Sequence, residues 1–177
     1  MTSLPLHPAI VHLPLGLAFV LPALAIGYAW AVWKGKVRAR AWLAIVALQA
    51  VLLAAGVVAM NTGEREEDRV ERVVPEAALE QHEEYAEQFV WATGFTLVLA
   101  GLVLVSRRPA IAHALTLATV AGTIVVAAAA IRVGHAGGRL VYVHNAGSAY
   151  GGAAPAAGAD RGTPAAREAR RGDDDDR

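Results

Sequence analysis

The residues of this 177-residue chain most suited to chemistry are its six histidines, His7, His12, His82, His113, His135 and His144. The chain has no cysteine. That excludes disulfides, thiolate metal sites, iron–sulfur clusters and covalently attached c-type haem. Neutral imidazole still binds Zn, Cu, Fe and Ni, and haem iron takes one or two axial imidazole nitrogens. Five of the six, all but His113, fall in two short segments and one helix-like stretch. HPAIVH holds His7 and His12, VGHAGGRLVYVH holds His135 and His144, and VPEAALEQHEEYAEQF holds His82.

The elements that must position them are apolar. Four runs, at about 9–33, 41–60, 89–105 and 110–131, account for most of the hydrophobic residues. A bilayer core takes about 20 helical residues, so each run is long enough to span, the third near the short limit. A soluble helix would show a polar stripe, whereas AWLAIVALQAVLLAAGVVAM offers only Gln49. The expected fold class is therefore all-α, a four-helix transmembrane up-down bundle with short connections. The first run is too long for a signal-peptide core and has no Lys or Arg before it, so it reads as a retained span. The membrane domain is expected over 1–145. From 146 to 177 the sequence turns to Ala, Gly and Pro with scattered charge and reads as a disordered tail.

Charge sums to zero, 16 basic against 16 acidic residues, but it is segregated. The first and third connections carry Lys34, Lys36, Arg38 and Arg40, and then Arg107 and Arg108. The second carries ten acidic residues against three arginines. The positive-inside rule places the basic loops in the cytoplasm of a bacterial inner membrane and both termini on the outer side. Tyr28, Trp30, Trp33 and Trp42 fit an aromatic belt at the inner interface.

On this topology only His113 lies near the inner end. Counted from the middle of each run, His82 and His135 sit roughly 22 Å above the midplane, His7 at a similar height and His12 at roughly 14 Å. On a helical wheel His82 shares a face with Ala78, Leu79, Tyr85, Ala86 and Phe89, pointing into the bundle. Glu76, Glu80, Glu83, Glu84 and Glu87 form the opposite face, read as solvated. Pro14 frees the carbonyl of Ile10, and Pro8 disfavours a helical conformation at His7, so His7 and His12 are not expected to follow simple helical spacing. Gly134, Gly137 and Gly138 read as an ordinary helix stop that also lets a bulky group approach.

Taken together, His7, His12, His82 and His135 form one layer of imidazoles. Two of them on opposite helices suit a b-type haem, with Arg132 and Arg139 beside the propionates. Three or four in a compact cage suit a transition-metal ion instead. The residues leave both open. No nucleophile–base pair, phosphate loop or nucleic-acid patch is visible, so nothing indicates an enzyme or a nucleic-acid partner.

HPAIVHLPLG near the start, NTGE after the second span, His82 before the third and GHAGGRLVY after the fourth together resemble bacterial membrane proteins of the "domain of unknown function 2231" family. The resemblance covers roughly 6–147. It implies a four-helix membrane bundle, with matching positions at His7, Pro8, His12, His82, Gly137, Gly138, Leu140, Val141 and Tyr142. It also implies that the His135 position varies, which makes His144 a rival ligand. The leading expectation is a cytochrome-b-like protein, in the bilayer, exchanging electrons with other membrane redox proteins or a quinone. The alternatives are a Cu, Zn or Fe binding membrane protein, or a cofactor-free scaffold subunit of a larger membrane complex.

Overall fold

Residues 5–150 are described in the computed structural model, so most of the tail expected from 146 to 177 lies outside the described residues. The chain forms α1 (His7–Ile10), α2 (His12–Trp33), α3 (Trp42–Val70), α4 (Glu76–Val105) and α5 (Pro109–Tyr142). No strand occurs among the described residues. α1 and α2 meet at Val11, whose helical dihedrals make them one nearly continuous rod, His7–Trp33. The break falls there because Pro14 has no N–H for the Ile10 carbonyl. This rod and the other three helices are each long and apolar enough to cross a membrane.

The helices alternate in direction and pack as a ring: α2 on α3, α3 on α4, α4 on α5, and α5 back on α2. The seams are built from small residues. Ala18, Ala25, Ala55, Ala59, Ala100 and Ala130 are buried, and so are Thr93, Thr96, Thr119 and Thr123. Short side chains let the backbones approach, which replaces the hydrophobic drive that lipid cannot supply between helices. Each of those threonine hydroxyls donates to a carbonyl of its own helix at 2.7–2.8 Å, so these hydroxyls are paired within the apolar layer. Large apolar side chains, among them Phe19, Ile26, Trp91 and Phe95, face outward, where acyl chains solvate them.

Three expectations shift. Trp42 is 1% exposed and donates from Nε1 to the Ala100 carbonyl at 2.9 Å, so it is a wedge between α3 and α4 rather than part of a belt. Trp30 and Trp33 remain exposed, with the Lys36 ammonium 4.5 Å from the Trp30 ring centroid. The helices also overrun the apolar runs. α3 continues to Val70 through the acidic segment, α4 begins at Glu76, and α5 passes through Gly134, Gly137 and Gly138 to Tyr142. The glycines are not a helix stop, because α5 runs through them unbroken, and of the three only Gly137 lies against a close neighbour, the His82 ring. Finally, the packed domain extends to Tyr150. Ala146–Ala149 form a single 3-10 turn, entered through Asn145 in the left-handed region, and Ala146 is buried against Val74 and Leu140.

Candidate functional site

The ends of α3, α4 and α5 overrun the apolar runs on the acidic side of the bundle, by about 15–20 Å each at a rise of about 1.5 Å per residue. Between them, closed by the N-terminal segment and the residues after α5, lies a cavity of about 820 Å³. That volume is in the range of small-molecule and cofactor sites, roughly 300–1,000 Å³. Its floor is apolar, with Leu15, Gly56, Phe89 and Val90, and its rim carries Glu64, Glu66, Glu67, Glu83 and Glu87.

Two of the expected histidines meet in this cavity. His7 comes from α1 and His82 from α4; their ring centroids are 6.1 Å apart and the planes stand at 88°. His7 is the first residue of α1, contrary to the expectation drawn from Pro8. Pro8 itself costs α1 no hydrogen bond, because it occupies the first turn, where a helix needs no N–H donor. His7 Nδ1 lies 2.8 Å from the Ala59 carbonyl. A carbonyl only accepts, so Nδ1 carries a proton, and in the neutral form of the ring Nε2 has the lone pair. Both rings rest on glycine. A side chain at Gly63 would come within 3.3 Å of His7, and one at Gly137 within 3.2 Å of His82. Gly63 belongs to the NTGE motif, which gives that motif a packing reason. The Val133 carbonyl of α5 interacts with the His82 ring, yet Nδ1 is buried and makes no hydrogen bond of ordinary geometry among the described residues.

The remaining candidates divide by azimuth. Val133, Gly134, Gly137, Gly138 and Val141 form the cavity face of α5. Arg132, His135 and Arg139, at i, i+3 and i+7, share a different face and are exposed. Arg132 stacks 4.4 Å over the Tyr85 ring and reaches Gln88 Oε1 at 3.4 Å. His12 is also exposed, its Nδ1 3.3 Å from the Ala9 carbonyl one turn back. His144 has a buried Nε2 without a hydrogen-bond partner among the described residues, but it does not line the cavity. Among the described residues, no group of three histidines or carboxylates is arranged to hold a metal ion.

Sequence reasoning missed the closure of the cavity. Glu66, on α3, accepts from the Leu6 backbone N–H at 3.0 Å with Oε1 and from the Tyr150 hydroxyl at 2.6 Å with Oε2. The Arg69 guanidinium lies 5.4 Å from the Tyr150 ring centroid. Burial, then the hydrogen bond and charge of Glu66, push the Tyr150 hydroxyl up to about 12, with Arg69 opposing. In sequence Glu66 is one carboxylate in an acidic run, and nothing marks it.

A ring of four apolar helices with a histidine-paired cavity at one end defines a multi-pass membrane protein with a built pocket at its polar end. The chain belongs to the family described as "Predicted membrane protein (DUF2231)", which matches residues 3–150. No curated protein and no solved structure matches it. The matched segment ends at Tyr150, the residue that closes the cavity.

Proposed function

We propose that this membrane protein binds a b-type haem in the cavity, where His7 and His82 would hold the iron and the group would supply single-electron transfer at the outer face of a bacterial inner membrane. The observation that carries the reading is the spacing of the two rings. With metal–nitrogen bonds of about 2.0 Å, two imidazoles that would share one metal have ring centroids about 5–6 Å apart. The pair stands at 6.1 Å. The His7 Nδ1 bond to Ala59 supports it too, because a backbone carbonyl behind a ligating imidazole fixes the tautomer and raises the basicity of the other nitrogen. Haem would supply one-electron redox chemistry, and membrane redox proteins or a quinone are the partner classes that would use it.

The carboxylate rim sets a condition. No Lys or Arg lines the cavity among the described residues, so a haem's propionates would depend on water and salt for screening. Arg132 and Arg139 serve that purpose only by turning from their present face. The same rim favours the second reading, a transition-metal cation held by the two imidazoles, against which stands the lack of a third convergent ligand. Lys34, Lys36, Arg38, Arg40, Arg107 and Arg108 belong to the end opposite the cavity, and the positive-inside rule is the support for the outer-face orientation.

The test is a dithionite-reduced minus oxidised visible spectrum of detergent-purified protein from haem-replete cells, with elemental analysis of the same sample. Sharp α and Soret bands with about one iron per chain are expected. Stoichiometric copper, zinc or iron without those bands would move the assignment to ion binding. Neither would leave a cofactor-free scaffold.

A further inference from the structure

The cavity is closed by two strands of chain from opposite ends of the domain. Pro5 and His7 contribute from the N-terminal side, and Ala146, Gly147 and Tyr150 from beyond α5. One carboxylate holds both, since Glu66 bonds Leu6 N–H through Oε1 and the Tyr150 hydroxyl through Oε2. Leu6 immediately precedes α1, so its N–H points away from the helix ladder and needs an external acceptor. Leu6 is also the neighbour of His7. Glu66 thereby fixes the backbone on one side of the ligating ring, while the Ala59 carbonyl fixes the ring itself.

We infer that Glu66 is the positioning residue of this site: it clasps the two chain ends across the cavity mouth, keeps His7 beside His82, and narrows the opening through which a ligand enters. This rests on the reading of the cavity as the ligand site. The raised Tyr150 hydroxyl agrees with it, because the phenol is held neutral as a donor to a carboxylate. The clasp is exposed on its Leu6 side and half-buried on its Tyr150 side, so it can open without disturbing the spans.

The native chain has no cysteine, so Met60→Cys, on the cavity wall, supplies a single reporter thiol. Its labelling by a water-soluble maleimide is followed in the full-length protein in detergent. Labelling is expected to be slow behind an intact clasp and to accelerate by at least about tenfold in Glu66→Ala, the factor one charge-assisted hydrogen bond is worth. Glu66→Gln keeps an acceptor for Leu6 and an amide that can bond the phenol oxygen, so it should stay near the starting rate. Tyr150→Phe should fall between, with one strand released. Equal rates in Glu66→Ala and the parent, with helix content preserved, would overturn the inference. Should Glu66→Ala fail to fold, an unchanged rate in Tyr150→Phe does the same. The outcomes separate from those of the haem reading. A colourless protein whose labelling follows this order loses the haem and keeps the clasp, whereas a pigmented protein with flat rates loses the clasp alone.

Discussion

Gly137→Ala tests whether the glycines of α5 exist to seat His82. Gly134, Gly137 and Gly138 lie within one helix, beyond the apolar run, so ordinary helix energetics apply to all three. Replacing a mid-helix glycine by alanine stabilises by about 0.5–1 kcal/mol through the entropy of the unfolded chain. At Gly138 nothing lies within 4 Å of the new methyl, and at Gly134 only Leu15 Cδ2 at 4.0 Å, an ordinary contact. Both substitutions should return the full gain. At Gly137 the methyl would sit 3.2 Å from His82 Cε1 and 3.6 Å from Nδ1. Carbon contacts are optimal at about 3.5–4.0 Å, so the ring must retreat by a few tenths of an ångström. It can retreat only towards the cavity and His7, at an overpacking cost of about 1 kcal/mol, the low end of the usual range because one side is open. The two effects nearly cancel. Gly137→Ala should therefore leave unfolding in detergent, followed by circular dichroism, close to that of the parent, while Gly134→Ala and Gly138→Ala raise it. Only Gly137→Ala should weaken retention of a cofactor. Equal stabilisation by all three, with equal retention, would refute the role given to Gly137.

Two further outcomes follow from groups outside that seam. Gln49 is 0% exposed, donates from Nε2 to the Thr93 carbonyl at 3.2 Å, and has no partner for Oε1 among the described residues. Gln49→Leu should be neutral or stabilising by up to about 1 kcal/mol, and a loss above about 2 kcal/mol would show that Oε1 is satisfied by something unseen. Tyr150 should ionise near 12 in an ultraviolet phenolate titration, against about 10 for a free tyrosine. Its folded value is raised, so its contribution to stability is whole below about pH 10 and is lost as pH climbs from 10 towards 12. Tyr150→Phe should abolish that last titration step, and an unchanged step near 12 would contradict the assignment.

The four spans were legible because lipid contact leaves an unbroken apolar run, and the inward face of His82 was legible because α4 keeps its 3.6-residue pattern into the acidic segment. Leu79, His82, Ala86 and Phe89 all reach the cavity wall. The wheel was too simple at its edge, since Glu83 and Glu87, assigned to the solvated face, line the rim. Hydropathy saw only the part of each helix that meets lipid, so the extensions of α3, α4 and α5 that build the cavity were invisible to it. Height along the membrane normal could be counted from the sequence, and it brought His7 and His82 to one layer. Azimuth could not be carried between helices. His135 has the right height but shares its face with Arg132 and Arg139, away from the cavity. The Glu66 clasp joins residues 60 and 84 positions apart, and no local pattern encodes such a contact.

The central claim is a single metal held between His7 and His82, and low-temperature electron paramagnetic resonance of the oxidised protein tests it most directly. A haem iron held by both imidazoles would give a low-spin ferric signal, lost in His7→Ala and in His82→Ala but kept in His12→Ala and His135→Ala. A haem-replete preparation without a low-spin ferric signal, or a signal that survives loss of His82, would contradict it.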